Sequence, residues 1–431
     1  MGEYGQMVFG TFLRGARLRA DLTQEGLADQ AGVSVRTIRD LERRRVRAPH
    51  RHTAESLAEA LGLSGPDRTR FFAAAGQDSE PPAARRRPGS RRDRSRMAPA
   101  QLPAATAELF GRDPAMDLVR RYAAVARGRR RTATTISLHG PPGVGKTAFA
   151  IAAGTELRSD YPDGQLFADV GREEAGAGRG EAGAGRGGEA GAAAVVASFL
   201  RALGVAESGI PASLADRSAL FRTVSDRLHL LIVLDEVADE DQLRPLMPAG
   251  SRCLVVVVAR RPFAGLDPHE RIALETLSEA DSGEMLGSIL GARAEAEPAA
   301  VRELVALCAG LPLALRLAAD RLSMRPHWRV DRLVEYLRDE ESRLHELQVG
   351  DLGVGPSIEA VHRRLDPADA EVFRVAAQLP GPEFTVGDVR RGCSATNVRR
   401  SIETLVDVGL LEPAGRGYRF HALTRIFARS L

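Results

Sequence analysis

Lysine is almost absent from this 431-residue chain: of its 60 Lys plus Arg residues, only Lys146 is a lysine. Arginine used throughout, beside abundant Ala and Gly, has the look of codon bias in a GC-rich genome, so most arginines carry no message. Cysteine is scarce as well. Cys253, Cys308 and Cys393 stand far apart without metal-ligand spacing and read as buried small hydrophobes in a reducing cytoplasm. No apolar run approaches the ~18 residues a membrane helix needs. The longest, 228–234 and 253–259, read as buried strands, and the opening MGEYGQMVFG lacks a basic-then-apolar signal pattern. A cytoplasmic chain with no membrane partner is expected. Aromatics make up only 5% against 44% hydrophobic and 27% charged residues, the composition of a globular protein long enough for two to four domains. Net charge is +3, spread unevenly: residues 1–104 carry about +7 and the remainder about −4, which predicts an anion-binding front end.

Against that background Lys146 gains meaning. It lies in GPPGVGKT, residues 140–147, which fits the P-loop pattern G-x-x-x-x-G-K-[ST]. The preceding 134–139 reads as a buried strand and the following 148–154 as a helix, the context that motif needs. Gly140, Gly143 and Gly145 let backbone amides turn inward around phosphates, and the helix N-terminus adds its dipole. A compact ammonium enters such a loop where a broad guanidinium does not, which explains why this position escapes the Arg bias. A Gly-rich turn that happens to match is the bland alternative.

Five blocks follow along the chain. Residues 1–76 read as compact and helical, and 77–104, rich in Pro, Arg and Ser, as a disordered linker. Residues 105–277 alternate apolar strands with helices, an α/β pattern. Residues 278–350 are helical, and 351–431 are helices followed by a two-strand segment. EAGAGRG occurs at 174–180 and again at 181–187; its glycines lack a strand–helix context and read as a flexible surface loop over 171–193.

In the first block, Thr23 caps one helix whose Leu27, Ala28 and Ala31 face inward, Gly32 makes a tight turn, and Ser34 caps a second helix with Ile38 and Leu41 buried. This is helix–turn–helix spacing. Arg36, Arg39 and Asp40 fall on the exposed face, as a major-groove recognition helix requires. Gln24 sits at a helix start where side chain and amide can meet a phosphate. Arg43, Arg44, Arg45 and Arg47 follow, placed for backbone contacts. The stretch 8–63, with a closing helix at 54–61, resembles the Cro/phage-repressor (XRE-type) domain. That resemblance implies that Val35, Arg36, Arg39 and Asp40 read bases of double-stranded operator DNA. A helical adaptor that uses the same fold for protein contacts is the alternative.

A P-loop needs a partner acid for Mg²⁺. LLIVLDE, residues 230–236, is an apolar strand that ends in one, the Walker B pattern. Asp235 would hold Mg²⁺ beside the Thr147 hydroxyl, and Glu236 would orient an attacking water, unless it is simply an exposed loop residue. The strand 253–259 ends at Arg260, placed to sense a γ-phosphate if it is not a surface arginine.

With these motifs, residues 105–431 resemble the NB-ARC module of STAND-class signalling ATPases. FGRD at 110–113 resembles that family's opening motif near the adenine, GLPLA at 310–314 its helical-subdomain motif, LDEV at 234–237 its Walker B and VAR at 258–260 its sensor arginine. The resemblance implies that ATP/ADP and Mg²⁺ are cofactors and that Arg112 and Pro312 touch the nucleotide. It also implies a winged-helix subdomain, with helices at 357–365, 369–379, 386–391 and 398–408 and wing strands at 410–412 and 418–420 around 413–417. His421, in FHA at 420–422, matches the residue that touches the β-phosphate of ADP. The acid of that motif is replaced by Ala422, which predicts a looser closed form. In that family the winged helix is a regulatory lid rather than a DNA reader.

The expected architecture is multidomain: an all-α helix-turn-helix domain, then an α/β P-loop NTPase domain with a parallel sheet, a helical subdomain and a winged-helix subdomain. Longer relatives of such regulators place helical repeats after the winged helix; none is visible here, which implies a short form or sensing elsewhere. The expected function is an ATP/ADP-switched transcription regulator with slow hydrolysis and nucleotide-dependent self-association. RNA polymerase or a sensor protein are candidate partners. A protein-recruiting signalling or defence ATPase is the second reading, and a DNA-associated housekeeping ATPase the third.

Overall fold

Two side-chain caps lay out the first unit. The structure is a computed structural model that describes residues 9–43, 51–63, 67, 71–72, 74–75, 98–105, 108–126, 132–172, 186–261 and 270–431. The chain divides into two compact units, residues 1–93 and 94–431. In the first, α1 (Phe9–Arg19), α2 (Gln24–Ala31), α3 (Val35–Glu42) and α4 (Arg51–Ala60) surround one core. Thr23 Oγ1 accepts from the Gly26 amide at 2.9 Å and Ser34 Oγ from the Thr37 amide at 3.1 Å, each satisfying an orphan donor of the first turn. Between them Gly32 takes the left-handed φ of 63° that ends α2. Leu27, Ala28, Ala31, Ile38 and Leu41 are buried, as the spacing predicts, against Phe9, Leu13, Leu57 and Phe71.

One tie in this unit gave no sequence signal. The Glu42 carboxylate accepts from Arg17 Nε at 2.7 Å and from Gln24 Nε2 at 2.6 Å, both pair members having nearly buried side chains. It thereby joins the C-terminal end of α3 to α1 and to the start of α2.

The second unit is built on a parallel sheet. Among the described residues it has five strands: β1 (Thr134–His139), β2 (Gly164–Asp169), β3 (Leu230–Val237), β4 (Leu254–Ala259) and β5 (Glu270–Ala273), in the order β2-β3-β4-β1-β5. β4 is buried along its whole length, and β3 as far as Asp235. Such continuous Val/Leu/Ile runs mark parallel strands covered on both faces. Side chains alternate between two cores. Leu231, Val233, Leu254 and Val256 pack with Phe149 and Ala153, whereas Leu230, Ile232, Val255 and Val257 pack with Phe199 and Phe221.

The disordered linker expected over 77–104 is corrected at its end; residues 77–97 lie outside the described residues. Pro99 O accepts from the Gln165 amide at 2.7 Å, the Gln101 amide donates to Gln165 O at 3.0 Å, and Leu102 packs on the sheet core. Residues 98–102 thus lie alongside the edge strand β2. Of the Gly-rich repeat, 173–185 fall outside the described residues, and the rest enters a helix, Arg186–Ala202, where a loop to 193 was expected. Val195, Val196, Phe199 and Leu200 bury against the sheet at helical spacing, and the alanines before them favour helix.

After the sheet, helices from Glu279–Leu290 to Glu340–Glu346 and from Val354–His362 to Ala422–Arg429 share one hydrophobic core that runs from Leu277 to Ala428. The helices expected in the last block lie at Val354–His362, Pro367–Ala377, Val386–Arg390 and Val398–Asp407. The hairpin is shifted: its strands are Glu412–Ala414 and Gly417–Arg419, and Gly415, φ 53°, makes the turn. Pro413 sits in a strand rather than the turn. Its strand is at the edge, where a residue without an N–H is tolerated. A third strand, Glu383–Phe384, pairs on the other side of Gly417–Arg419.

Candidate functional site

At the carboxyl end of β1 the chain turns through Gly140, Gly143 and Gly145, with φ of 145°, 81° and 90°, before the helix Lys146–Glu156. Only glycine adopts such values without strain, and a Cβ on Gly140 would lie 2.3 Å from Leu274 O. Lys146 Nζ donates to Gly140 O at 2.7 Å and Pro141 O at 3.1 Å, and burial pushes its pKa down to about 8. The loop wraps its backbone around a buried ammonium, the local form of a P-loop.

Two strands away in the sheet, β3 supplies the acids. Its register against β4 shifts between Leu234 and Val237, and Glu236 takes φ 56°, a left-handed value uncommon for a non-glycine. The bulge leaves Asp235 buried and Glu236 half-exposed. Asp235 Oδ1 accepts from the Thr147 hydroxyl at 3.0 Å, and burial pushes the carboxyl up to about 6 despite that hydrogen bond. The structure therefore brings Lys146, Thr147 and Asp235 together. Thr147 and Asp235 are hard oxygen donors, as Mg²⁺ prefers. Among the described residues no group of three His, Cys, Asp or Glu could hold a metal ion; Mg²⁺ at such a site takes one carboxylate, one hydroxyl, phosphate oxygens and water, so the donor set fits.

The Glu236 carboxylate is held in ion pairs. Arg260 Nε pairs with its carboxylate at 3.0 Å, and Arg364, from beyond the helix Val354–His362, approaches at 3.7 Å. Arg260 is accordingly no bare surface arginine; its side chain is 17% exposed. Sequence reasoning missed Arg364, one arginine among many.

These groups open into a cavity of about 1100 Å³. Phe110, Leu277, Met285, Pro312 and Leu313 supply apolar lining, and Lys146, Thr147, Glu236 and Arg260 polar lining. Arg112 lines it too, but its guanidinium is spent on the backbone, donating to Glu275 O at 2.8 Å and Val144 O at 3.1 Å. It braces the loop. Pro312 begins the helix Pro312–Ser323, and the Leu313 amide donates to Gly143 O at 3.1 Å, tying that helix to the loop. Ser357, Arg364, Asp369, Thr404 and Asp407 close the cavity from the last block. Gly409 packs on the loop so tightly that a Cβ there would lie 2.7 Å from Pro141 Cα.

His421 is corrected. It does not line the cavity: its Nε2 bonds Ala309 O at 3.0 Å and its Nδ1 caps the final helix at the Leu423 amide. Burial lowers its pKa, so the neutral ring is favoured.

In the first unit, Arg36 is the most open candidate, with its side chain 90% exposed. It lies 3.7 Å from Asp40 one turn on, and Arg39 lies 4.0 Å from Glu25; exposed pairs of this kind hold a side chain only weakly. Arg43 is exposed at the end of α3. One expectation needs correction: Gln24 spends its side-chain amide on Glu42. Val35 is half-buried, packed partly against the core. Arg44, Arg45 and Arg47 lie outside the described residues. Among the described residues no helix is long and apolar enough to cross a membrane.

Comparison with known proteins matches a family model described as a helix-turn-helix domain over residues 8–71. The chain is 36% identical over 341 residues to the regulatory protein AfsR of Streptomyces coelicolor, and 36% identical over 338 residues to that of Streptomyces griseus. Each match covers 78% of this chain and 33% of the relative, so the chain spans about a third of the length of these curated relatives. Among solved structures, a signal transduction ATPase with numerous domains and a tetratricopeptide repeat sensor, from Pyrococcus horikoshii, aligns with 75% of this chain and 43% of its own at 15% identity and TM-score 0.32. A Walker-type ATPase of Pyrococcus abyssi aligns with 75% and 96% at 12% identity and TM-score 0.47. The chain thus joins an N-terminal helix-turn-helix domain to an α/β module of P-loop type with appended helical parts.

Proposed function

We propose that this chain is a DNA-binding transcription regulator switched by ATP and ADP, of the STAND class. Residues 105–277 are its NB domain, 278–350 the helical subdomain and 351–431 the winged-helix subdomain. The observation that carries this reading is the contact of Thr147 with Asp235 in a cavity walled by both the sheet and the last block. A nucleotide there touches both lobes, so its binding is coupled to their closure.

The P-loop amides and Lys146 would hold the phosphates. Thr147 and Asp235 would hold Mg²⁺, which supplies charge neutralisation at the β- and γ-phosphates when bound. Phe110, Leu277, Met285 and Pro312 would clasp the base. ADP would favour the closed form, and ATP, through Arg260, an open one. Opening would expose surfaces for self-association and pair the helix-turn-helix domains on operator half-sites, so that avidity makes DNA affinity depend on nucleotide. Arg36, Arg39 and Asp40 would meet base edges, and Arg43 and the α2 N-terminus the phosphates. RNA polymerase or a sensor protein would read the outcome in the cytoplasm. The regulatory relatives support this reading.

Calorimetric titration of the whole chain with ADP and with Mg²⁺ plus an ATP analogue tests the site. Lys146→Ala removes the ammonium from the cradle and is expected to abolish binding; equal affinity in the variant would remove the phosphates from this loop.

A further inference from the structure

Glu236 is the natural base for hydrolysis at this site, yet it is paired with two arginines from different parts of the molecule. Arg260 belongs to the sheet and reaches Glu236 Oε2 through Nε at 3.0 Å. Arg364 follows the helix Val354–His362 of the lobe that closes the cavity, and reaches the same oxygen through Nη1 at 3.7 Å. The two lobes touch nearby as well. Gly409 packs on Pro141, and Asp407, whose pKa burial raises, is near enough to Arg261 to feel an opposing attraction from it. The pairing of Arg364 with Glu236 thus joins the sheet to the lobe that closes the cavity.

We infer that Arg364 is a positioning residue that holds Glu236 away from the attacking water in the closed form, so that lobe opening speeds hydrolysis. This rests on the nucleotide reading given above. In the reaction, a water oxygen bonds the γ-phosphorus as the bond from that phosphorus to the β–γ bridging oxygen breaks. The bridging oxygen keeps the electron pair and leaves as ADP, and the water's proton passes to the Glu236 carboxylate and then to solvent or phosphate. A carboxylate oxygen shared between two guanidiniums points at them instead of at water. A γ-phosphate can draw Arg260 to itself, since Arg260 lies at the same carboxyl end of the sheet as the phosphate loop. Arg364 is carried by the closing lobe and moves with it. The magnitude is modest, because the Arg364 side chain is half-exposed and the pair is not in close contact.

The test is steady-state ATP hydrolysis by the full chain with Mg²⁺, beside ADP affinity by calorimetry. Arg364→Gln is expected to raise kcat by about three- to fivefold with ADP affinity changed less than about twofold, and Arg364→Lys to stay near wild type. Glu236→Gln is expected to bind nucleotide without turning it over, and Arg364→Gln to add nothing in that background. Unchanged or reduced turnover in Arg364→Gln, with nucleotide still bound, overturns the inference alone. An equal rise in the Glu236→Gln background places the effect elsewhere and also overturns it. Absence of nucleotide binding in the wild type overturns this inference and the functional reading together. Circular dichroism of each variant separates these outcomes from loss of fold, and Arg364→Ala serves as the second variant if Arg364→Gln does not fold.

Discussion

At the scale of single residues, the site is a matter of charges placed where water is scarce. Asp235 and Lys146 are displaced toward each other on the pH scale, the acid up to about 6 and the base down to about 8, and burial is the largest cause of both. Mg²⁺ needs the ionised carboxylate, so below about 6 the proton on Asp235 competes with the metal. The phosphates need the ammonium, which is lost above about 8 in the free protein. Affinity for Mg²⁺-nucleotide is therefore expected to rise from pH 5 to 7 and to decline on the alkaline side, at a pH above 8 because bound phosphate holds the proton on Lys146. Omitting Mg²⁺ should remove the acidic limb. Titrations at pH 5, 6, 7 and 9 check this; a flat profile from 5 to 7 would mean that Asp235 is ionised throughout. Lys146, Thr147 and Asp235 were legible in the sequence because each sits in a pattern whose strand–loop–helix context is also local. Arg364 and Gly409 were not. Their roles depend on which surfaces meet across the cavity, and nothing within a few residues of either one encodes that.

At the scale of elements, the helix–turn–helix was legible because caps and turns are written locally: Thr23, Gly32 and Ser34 do what their types favour. The role of Glu42 was hidden, since a carboxylate at the end of an amphipathic helix reads as solvated. In the structure it accepts from Arg17 and Gln24 and joins three helices. Removing one member of a nearly buried pair strands the other, at a cost of about 3 kcal/mol. Glu42→Ala should destabilise the first unit by about that amount in urea unfolding, with the second unit's transition unmoved; a change under about 1 kcal/mol would show that water replaces the carboxylate easily. The same logic explains the error on this face. Periodicity marks a position as exposed or buried but cannot say that Gln24 has found an internal partner. His421 was misplaced for a related reason: a motif gives the residue, while the contact that captures its ring, Ala309 O, lies 112 positions earlier in the chain.

At the scale of the whole molecule, the second unit is an α/β sheet whose cavity is completed by a lobe contributed from the far end of the chain. Gly409, φ 72°, is where that lobe meets the phosphate loop. An alanine there meets both left-handed strain of about 1–2 kcal/mol and the Pro141 backbone. Gly350, φ 60°, carries the same strain with open space around it. Gly409→Ala is expected to speed ADP release by about tenfold while Gly350→Ala leaves it near wild type, read by stopped-flow displacement of a fluorescent ADP; equal rates for the two variants would separate lobe contact from nucleotide retention. Coupling of that closure to the helix-turn-helix domain is the central claim. The most direct measurement is binding of the whole chain to its own upstream DNA with no nucleotide, with ADP and with an ATP analogue, each at two salt concentrations. Sequence-specific, salt-sensitive binding that strengthens with the ATP analogue is the expected result. Nucleotide binding without any specific DNA binding would contradict it and assign the front domain to protein recruitment instead.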